Sequence, residues 1–289
     1  MTDNPLKIDP FYNQPKDNDV LYRYITIDKL LDFLFSGRIP LARLNTFEDK
    51  LEGVTPQHLL LTFASDKMRD EIADFAGGLL KLIGENFSVN PTKRNSLRDQ
   101  RRNFKNTNFA SCWYVSGHES VAMWQLYSNP DSVAIRIPYK QLVGELTNYS
   151  FSLPQLPYER LRYGLIDYHR FNDLDELSNI IAKKDIQGFM KDSSFQHEKE
   201  FRIMLQSVNK EVKKVEKKPL MLDEHIEKIN NKLDTKIISM TLSNFNKLPF
   251  EIIFHPQSSH WHRKNIIKII DKFQLPFKTT ESVLKNMFN

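Results

Sequence analysis

Residues 198 to 205 read EKEFRIML, and this alternation constrains the fold more than any other stretch. Side chains alternate across a strand, so Phe201, Ile203 and Leu205 share one face while Glu198, Glu200 and Arg202 share the other. A strand of this kind belongs in a sheet with a dry face and a polar one. The polar face is either solvated or a site.

Other strands follow from β-branched and aromatic content: VLYRYI (20–25), RIPLARL, NFASCWYV (108–115), SVAIRIPY (132–139), RYGLIDY (162–168), KIISMTL and FEIIFHP. Between them lie helical patterns. IDKLLDFLFSG has apolar residues at 27, 30, 31 and 34, Thr26 as its cap and Gly37 as its stop. ESVAMWQLYS predicts a short helix, 172–192 an amphipathic one, and WHRKNIIKIIDKF a closing one. Residues 56–105 read as mostly helical, broken by AGG and NPT, and 208–220 as a charged hairpin or linker. The sum is one α+β domain over 1–289, with a helical insertion at 54–106.

Composition narrows the function classes. A 289-residue chain with 40% hydrophobic residues can bury a core, and 41 Lys and Arg against 36 Asp and Glu leave a net charge of +5. That excess permits an anionic partner without requiring one. The start lacks the apolar run of a signal peptide, and no segment approaches the roughly 18 apolar residues of a membrane span. A cytoplasmic protein with no membrane partner is expected. The single cysteine, Cys112, excludes an internal disulfide and a multi-cysteine zinc site.

Three strand-borne polar features stand out: Arg23, Ser111 and the pair Glu198 and Glu200. Their order resembles the arginine, serine, Glu-x-Glu pattern of ADP-ribosyltransferases. The resemblance implies a split mixed or antiparallel sheet and NAD as substrate. It also implies that Arg23 holds NAD, that Ser111 supports the nicotinamide-side ribose, and that Glu200 bonds the ribose as nicotinamide leaves. Only Ser111 of the usual Ser-Thr-Ser is present. Breaking the N-glycosidic bond develops oxocarbenium charge, which a fixed carboxylate stabilises. A second carboxylate about 6.6 to 7 Å away on the strand can orient an acceptor. On this reading Arg23, Ser111 and Glu200 converge on one cleft. The plainer reading makes Glu198, Glu200 and Arg202 cross-strand ion pairs.

A broader resemblance runs through LYRYITIDKLLDFLFSGRIPLARLNTFEDKLEG, FASCWYVSGHESVAMWQLYSNPDSVAIRI, KDSSFQHEKEFRIM and EIIFHP with TTES. In this order they resemble the bacterial family known as domain of unknown function 2971, which implies kinship and no particular activity. The loop TFEDKLEG lacks that family's proline, and Phe195 stands where a tryptophan is expected.

Further candidates remain open. Tyr24, Trp124 and Tyr127 can wall a nicotinamide or adenine pocket, or belong to the core. Cys112 can be a nucleophile beside His118 or His197, or a small core hydrophobe. Arg94, Arg98, Arg101, Arg102 and Lys105 form a basic run that can grip nucleic-acid phosphates or be a solvated helix face. His255, His260 and His262 suggest a histidine- or metal-dependent nuclease, although their spacing completes no metal site. The leading expectation is an NAD-dependent ADP-ribosyltransferase-like enzyme with a macromolecular acceptor, nucleic acid or protein. A bacterial toxin or anti-phage effector, with an antitoxin or defence-system partner, fits such an activity. The alternatives are the nuclease and a non-catalytic binding module.

Overall fold

A computed structural model describes residues 7–63, 100–147, 149–151, 158–181, 183, 186–207 and 236–287. The chain is α+β, and its main sheet mixes parallel and antiparallel pairs. Along the sheet the order is β1 (Lys7–Pro10), β7 (Tyr158–Leu165), β10 (Glu200–Ser207), β4 (Phe109–Val115), β2 (Val20–Ile25), β5 (Val133–Pro138), β12 (Glu251–Phe254) and β13 (Lys278–Thr280). A branch of β3 (Arg38–Arg43), β11 (Ile237–Leu242) and β6 (Tyr149–Phe151) joins at β4. The first and last pairs of the main path are parallel, and the pairs between them are antiparallel.

The branch point positions everything else. One edge of β4 pairs with β10 along Phe109 to Tyr114. Its other edge is shared: Tyr114 and Val115 pair with β2, while Phe109 and Ala110 pair with β3. β2 and β3 therefore fork apart on either side of Ser111, Cys112 and Trp113.

Alternation then sorts side chains by face. On one face Leu21, Trp113, Ile135, Phe201, Ile203, Leu205 and Ile252 join the largest core, closed by α1 (Ile27–Ser36), α5 (Tyr139–Gly144) and α7 (His260–Lys272). The other face carries two smaller cores. One gathers Phe11, Leu44, Leu59, Phe189 and Met204 around α2 (Pro56–Phe63) and α6 (Leu174–Ile180). The other gathers Tyr22, Tyr24, Tyr114 and Trp124 under α4 (Val121–Tyr127).

Several local expectations change. Helix α1 ends as expected at Gly37 in the left-handed region (φ 63°), where its N–H reaches the Phe33 carbonyl. Thr26, however, bonds the Asp28 side chain instead of capping the helix. The expected helix over 172–192 shrinks to α6, and strand β9 (Met190–Asp192) takes its end, paired with β8 (Asp167–His169). RYGLIDY is likewise divided, because the chain leaves β7 at Ile166 before starting β8. Of the proposed insertion, α2 and a helix over 100–107, α3, are described. The rest of that insertion and the 208–220 hairpin lie outside the described residues. Among the described residues no helix is long and apolar enough to cross a membrane.

Candidate functional site

Between the two smaller cores, on the face of Cys112 and Tyr114, lies a cavity of about 300 Å³. Its walls are mainly aromatic, with Tyr22, Tyr24, Tyr114, Tyr127, Phe47 and Phe195, and its charged members are Arg23, Glu48, Asp49, Lys191, Glu198 and Glu200. The size is at the lower end of small-ligand pockets.

Its floor is a buried chain of alternating charges. Arg202, fully buried, bonds Glu52 through Nη1 and Nη2 (2.8 and 3.1 Å), Glu200 through Nε (2.6 Å) and the Gly188 carbonyl through Nη1 (2.7 Å). Lys191 lies between Glu198 (2.6 Å) and Glu200 (2.8 Å), and the Tyr127 hydroxyl donates to Glu198 (2.6 Å). Gly188 has φ 80°, and a Cβ there would lie 2.8 Å from Met204 Sδ, so glycine keeps that carbonyl within reach of Arg202. Burial alone would raise the Glu200 carboxyl, but Arg202 and Lys191 outweigh it and hold the group well below the usual carboxylate range. Burial would likewise lower Lys191, but Glu200, Cys112 and Glu198 together outweigh it and hold the ammonium protonated well above its usual range.

The opening motif is thus built differently from its sequence pattern. Strand β10 begins at Glu200, and Glu198 ends a 3-10 turn over Ser193–Glu198, followed by Lys199 in the left-handed region (φ 38°). Glu198 and Glu200 do not share a strand face by alternation. Lys191 of β9 brings them together.

Arg23 and Ser111 are brought together as well, but from the reverse side of the sheet. Glu200 is paired with Tyr114 and so shares the Cys112 face, whereas Ser111 has the face of Trp113. The Arg23 guanidinium bonds Ser111 Oγ (2.9 Å) and the Pro40 carbonyl (3.2 Å) and lies 5.6 Å from the Trp113 ring centroid. It spans the fork from β2 to β4 and β3, and burial pushes it down to about 10. Arg23 and Trp113 line the cavity, whereas Ser111 is fully buried and does not. Of the expected convergence, Arg23 and Glu200 both line the cavity although their strands present opposite faces, while Ser111 stays out of it.

The aromatic candidates divide. Tyr24 and Tyr127 line the cavity. Trp124 is fully buried instead, edge-on to Tyr24 and His255, and its indole N–H donates to Glu119 (2.9 Å). Glu119 also accepts from Ser282 Oγ (2.6 Å) and the Val283 N–H (2.9 Å), so the Trp124 side of α4 fastens the C-terminal segment. Cys112 lines the cavity, and burial raises its thiol far above the ordinary value, opposite to what a nucleophile needs.

In the basic run, Arg94 and Arg98 lie outside the described residues. Arg102 is exposed, while Arg101 is half-buried and donates from Nε to the Glu52 carbonyl (3.1 Å). Burial lowers both Arg101 and Lys105, with Asp49 and Glu52 near enough to oppose it. His255 packs on Trp124, and His260 and His262 open α7. Among the described residues no three His, Cys, Asp or Glu side chains are arranged to hold a metal ion.

Three residues central to the site were missed in the sequence: Lys191, Glu52 and Asp49. The loop NTFEDKLEG supplies Phe47, Glu48 and Asp49 to the cavity and Glu52 to Arg202. Nothing local to EKEFRIML marks Arg202 as buried, so the sequence carried no signal for its second carboxylate. No family model, curated protein or solved structure matches the chain.

Proposed function

We propose that the cavity is the reaction site of an NAD-dependent ADP-ribosyltransferase-like enzyme. The observation that supports this reading is a pair of carboxylates, Glu198 and Glu200, held by one lysine at an aromatic-walled cavity. In such a reaction the C1′–N bond breaks, nicotinamide leaves with the bonding electron pair, and positive charge develops on the ribose. The acceptor nucleophile then bonds C1′ with its lone pair and loses its proton to solvent water. Carboxylates whose positions are already fixed stabilise that charge without reorganising. Glu198 is the better placed to face substrate, since Glu200 is taken up by both Arg202 and Lys191. Arg23 and Ser111 set the fork that shapes the cavity wall, and they serve as positioning residues rather than as direct NAD contacts.

A cavity of this size takes the nicotinamide and ribose end of NAD, leaving the phosphates outside. Arg101 and Lys105, within electrostatic range of Asp49 and Glu52, are cations available to them. The acceptor is a macromolecule, nucleic acid or protein, and a toxin or anti-phage role with an antitoxin or defence-system partner suits such a transfer.

A second reading, a binding module, is favoured by one observation. The acidic members Glu52, Glu200 and Glu198 are all tied to Arg202 or Lys191, leaving none of the three free as a base. Nicotinamide release from NAD by the purified chain, with and without cell lysate, decides between them. The transferase reading expects release that falls by about a hundredfold in Glu198→Gln, typical of losing one electrostatic stabiliser. Absence of release under both conditions leaves the binding module.

A further inference from the structure

The charge and the walls of the cavity have to be considered together. Four carboxylates, Glu48, Asp49, Glu198 and Glu200, face two cations, Arg23 and Lys191. Lys191 is already spent between Glu198 and Glu200, and behind the floor Arg202 is matched by Glu52 and Glu200. Arg23 is turned to the fork. Arg101 and Lys105 approach Asp49 and Glu52 from α3 but do not line the cavity.

Asp49 is then the outstanding group. It is half-buried, and its Oδ1 accepts only from the Leu51 N–H (2.7 Å); among the described residues it has no ion-pair partner. Beside it, Glu48 is exposed and also unpaired among the described residues. The aromatic rings suit the same ligand charge. Phe195 already carries the Lys191 ammonium 5.3 Å from its centroid, and Phe47 carries the Arg202 guanidinium at 5.6 Å. Tyr22, Tyr24 and Tyr114 line the cavity as well and pack on one another, with Arg136 bonded to the Tyr22 side chain. Electron-rich ring faces with a carboxylate at their edge attract organic cations and give a neutral ring much less.

We infer that this cavity selects a compact organic cation, of the N-alkylpyridinium or quaternary ammonium class, over its neutral counterpart, with Asp49 and Glu48 as the discriminating carboxylates. The inference rests on the same cavity as the transferase reading but not on any reaction there.

The test is isothermal titration of the full chain with 1-methylnicotinamide and with nicotinamide, which share a ring and differ in charge. Neither has a ribose bond to cleave. The cation is expected to bind at least about tenfold tighter than the neutral ring. Asp49→Asn should narrow that ratio severalfold, and Glu48→Gln should narrow it less, without risk to folding because Glu48 is exposed. Thermal melting checks that Asp49→Asn is folded. Equal affinities, tighter binding of nicotinamide, a ratio untouched by both variants, or no binding of either ring at millimolar concentration would each overturn the inference. Cation-selective binding without nicotinamide release from NAD keeps this inference and removes the transferase. Release without cation preference does the reverse.

Discussion

The two faces of β4 and β10 are made from the same residues taken alternately, yet they hold the molecule together in different ways. On one face Phe201, Ile203, Leu205 and Trp113 are fully or nearly fully buried among aliphatic and aromatic neighbours. Such packing is tolerant: a side chain of similar volume is accepted at modest cost. On the other face Glu200 and Arg202 are equally buried, but their neighbours are charges. There each member depends on the identity of its partners, because a buried charge that loses its partner pays its full desolvation cost. The lesson is that equal burial does not imply equal sensitivity.

The largest test of that contrast uses adjacent residues. Arg202→Met keeps much of the volume but leaves buried Glu52 without its cation and Glu200 with Lys191 alone, and it should cost about 3–5 kcal/mol. Ile203→Val, on the apolar face, should cost about 0.5–1.5 kcal/mol. Urea unfolding of both variants measures the difference. Similar costs would mean that the charged floor behaves like an ordinary core.

Acid should reveal the same asymmetry. The Glu200 carboxyl is lower in the folded chain than in the unfolded one, so its stabilisation is fully present above the ordinary carboxylate value of 4.5. It is lost as pH falls below that value toward the folded one, where the unfolded chain takes up the proton first. Stability measured from pH 7 to 3 should therefore drop steeply below about pH 4.5. In Glu200→Gln, less stable at neutral pH, the drop should be shallower. Parallel curves would assign the acid sensitivity to other carboxylates.

This contrast also explains what could be read from the sequence. The apolar face was legible because alternation is local: FRIML and FASCW announce their buried positions without knowledge of any partner. α1 was legible for the same reason, through its apolar spacing and Gly37. The charged face was not, because Arg202 meets Glu52 and Lys191 meets Glu198 only after β8, β9 and the loop at 45–53 have folded onto the sheet. The pattern Glu-x-Glu suggested a shared strand face, while the chain uses a 3-10 turn and a lysine to unite the same two carboxylates. Arg23 and Ser111 were correctly associated with each other, but strand parity relative to Glu200 depends on the β4 register, which only the sheet defines.

A smaller effect is expected where the two faces meet at the fork. Ser111→Ala removes the acceptor of the Arg23 guanidinium and of the Trp113 indole N–H (3.2 Å). Leaving those buried donors short of a partner should cost about 1–3 kcal/mol. Ser111→Cys, similar in shape and a weaker acceptor, should fall between. If the fork shapes the cavity, 1-methylnicotinamide affinity should weaken along with stability in the same order. A stability loss with unchanged affinity would separate the fork from the site.

The smallest effect on stability belongs to Tyr127, and it sharpens the comparison most, because Tyr127 is the point where the charged floor reaches solvent. Its ring is 46% exposed, and its hydroxyl donates to Glu198 Oε1, while Lys191 occupies Oε2. Burial, and after it the hydrogen bond to Glu198, holds the phenol protonated well above its ordinary range, so it acts as a donor throughout the working pH range. Tyr127→Phe keeps the ring against the cavity and removes that one bond, which at a half-exposed site should cost about 1 kcal/mol or less. The functional consequence should be larger than the stability one. Without the phenol, Glu198 is fixed by Lys191 alone and can rotate, so a reaction or a cation that depends on its orientation should lose severalfold in rate or affinity. Measuring nicotinamide release and 1-methylnicotinamide binding beside thermal melting distinguishes the roles. A variant that melts like the parent but releases nicotinamide more slowly makes Tyr127 a positioning residue for Glu198, whereas unchanged release and binding make the bond a surface closure of the ion-pair chain.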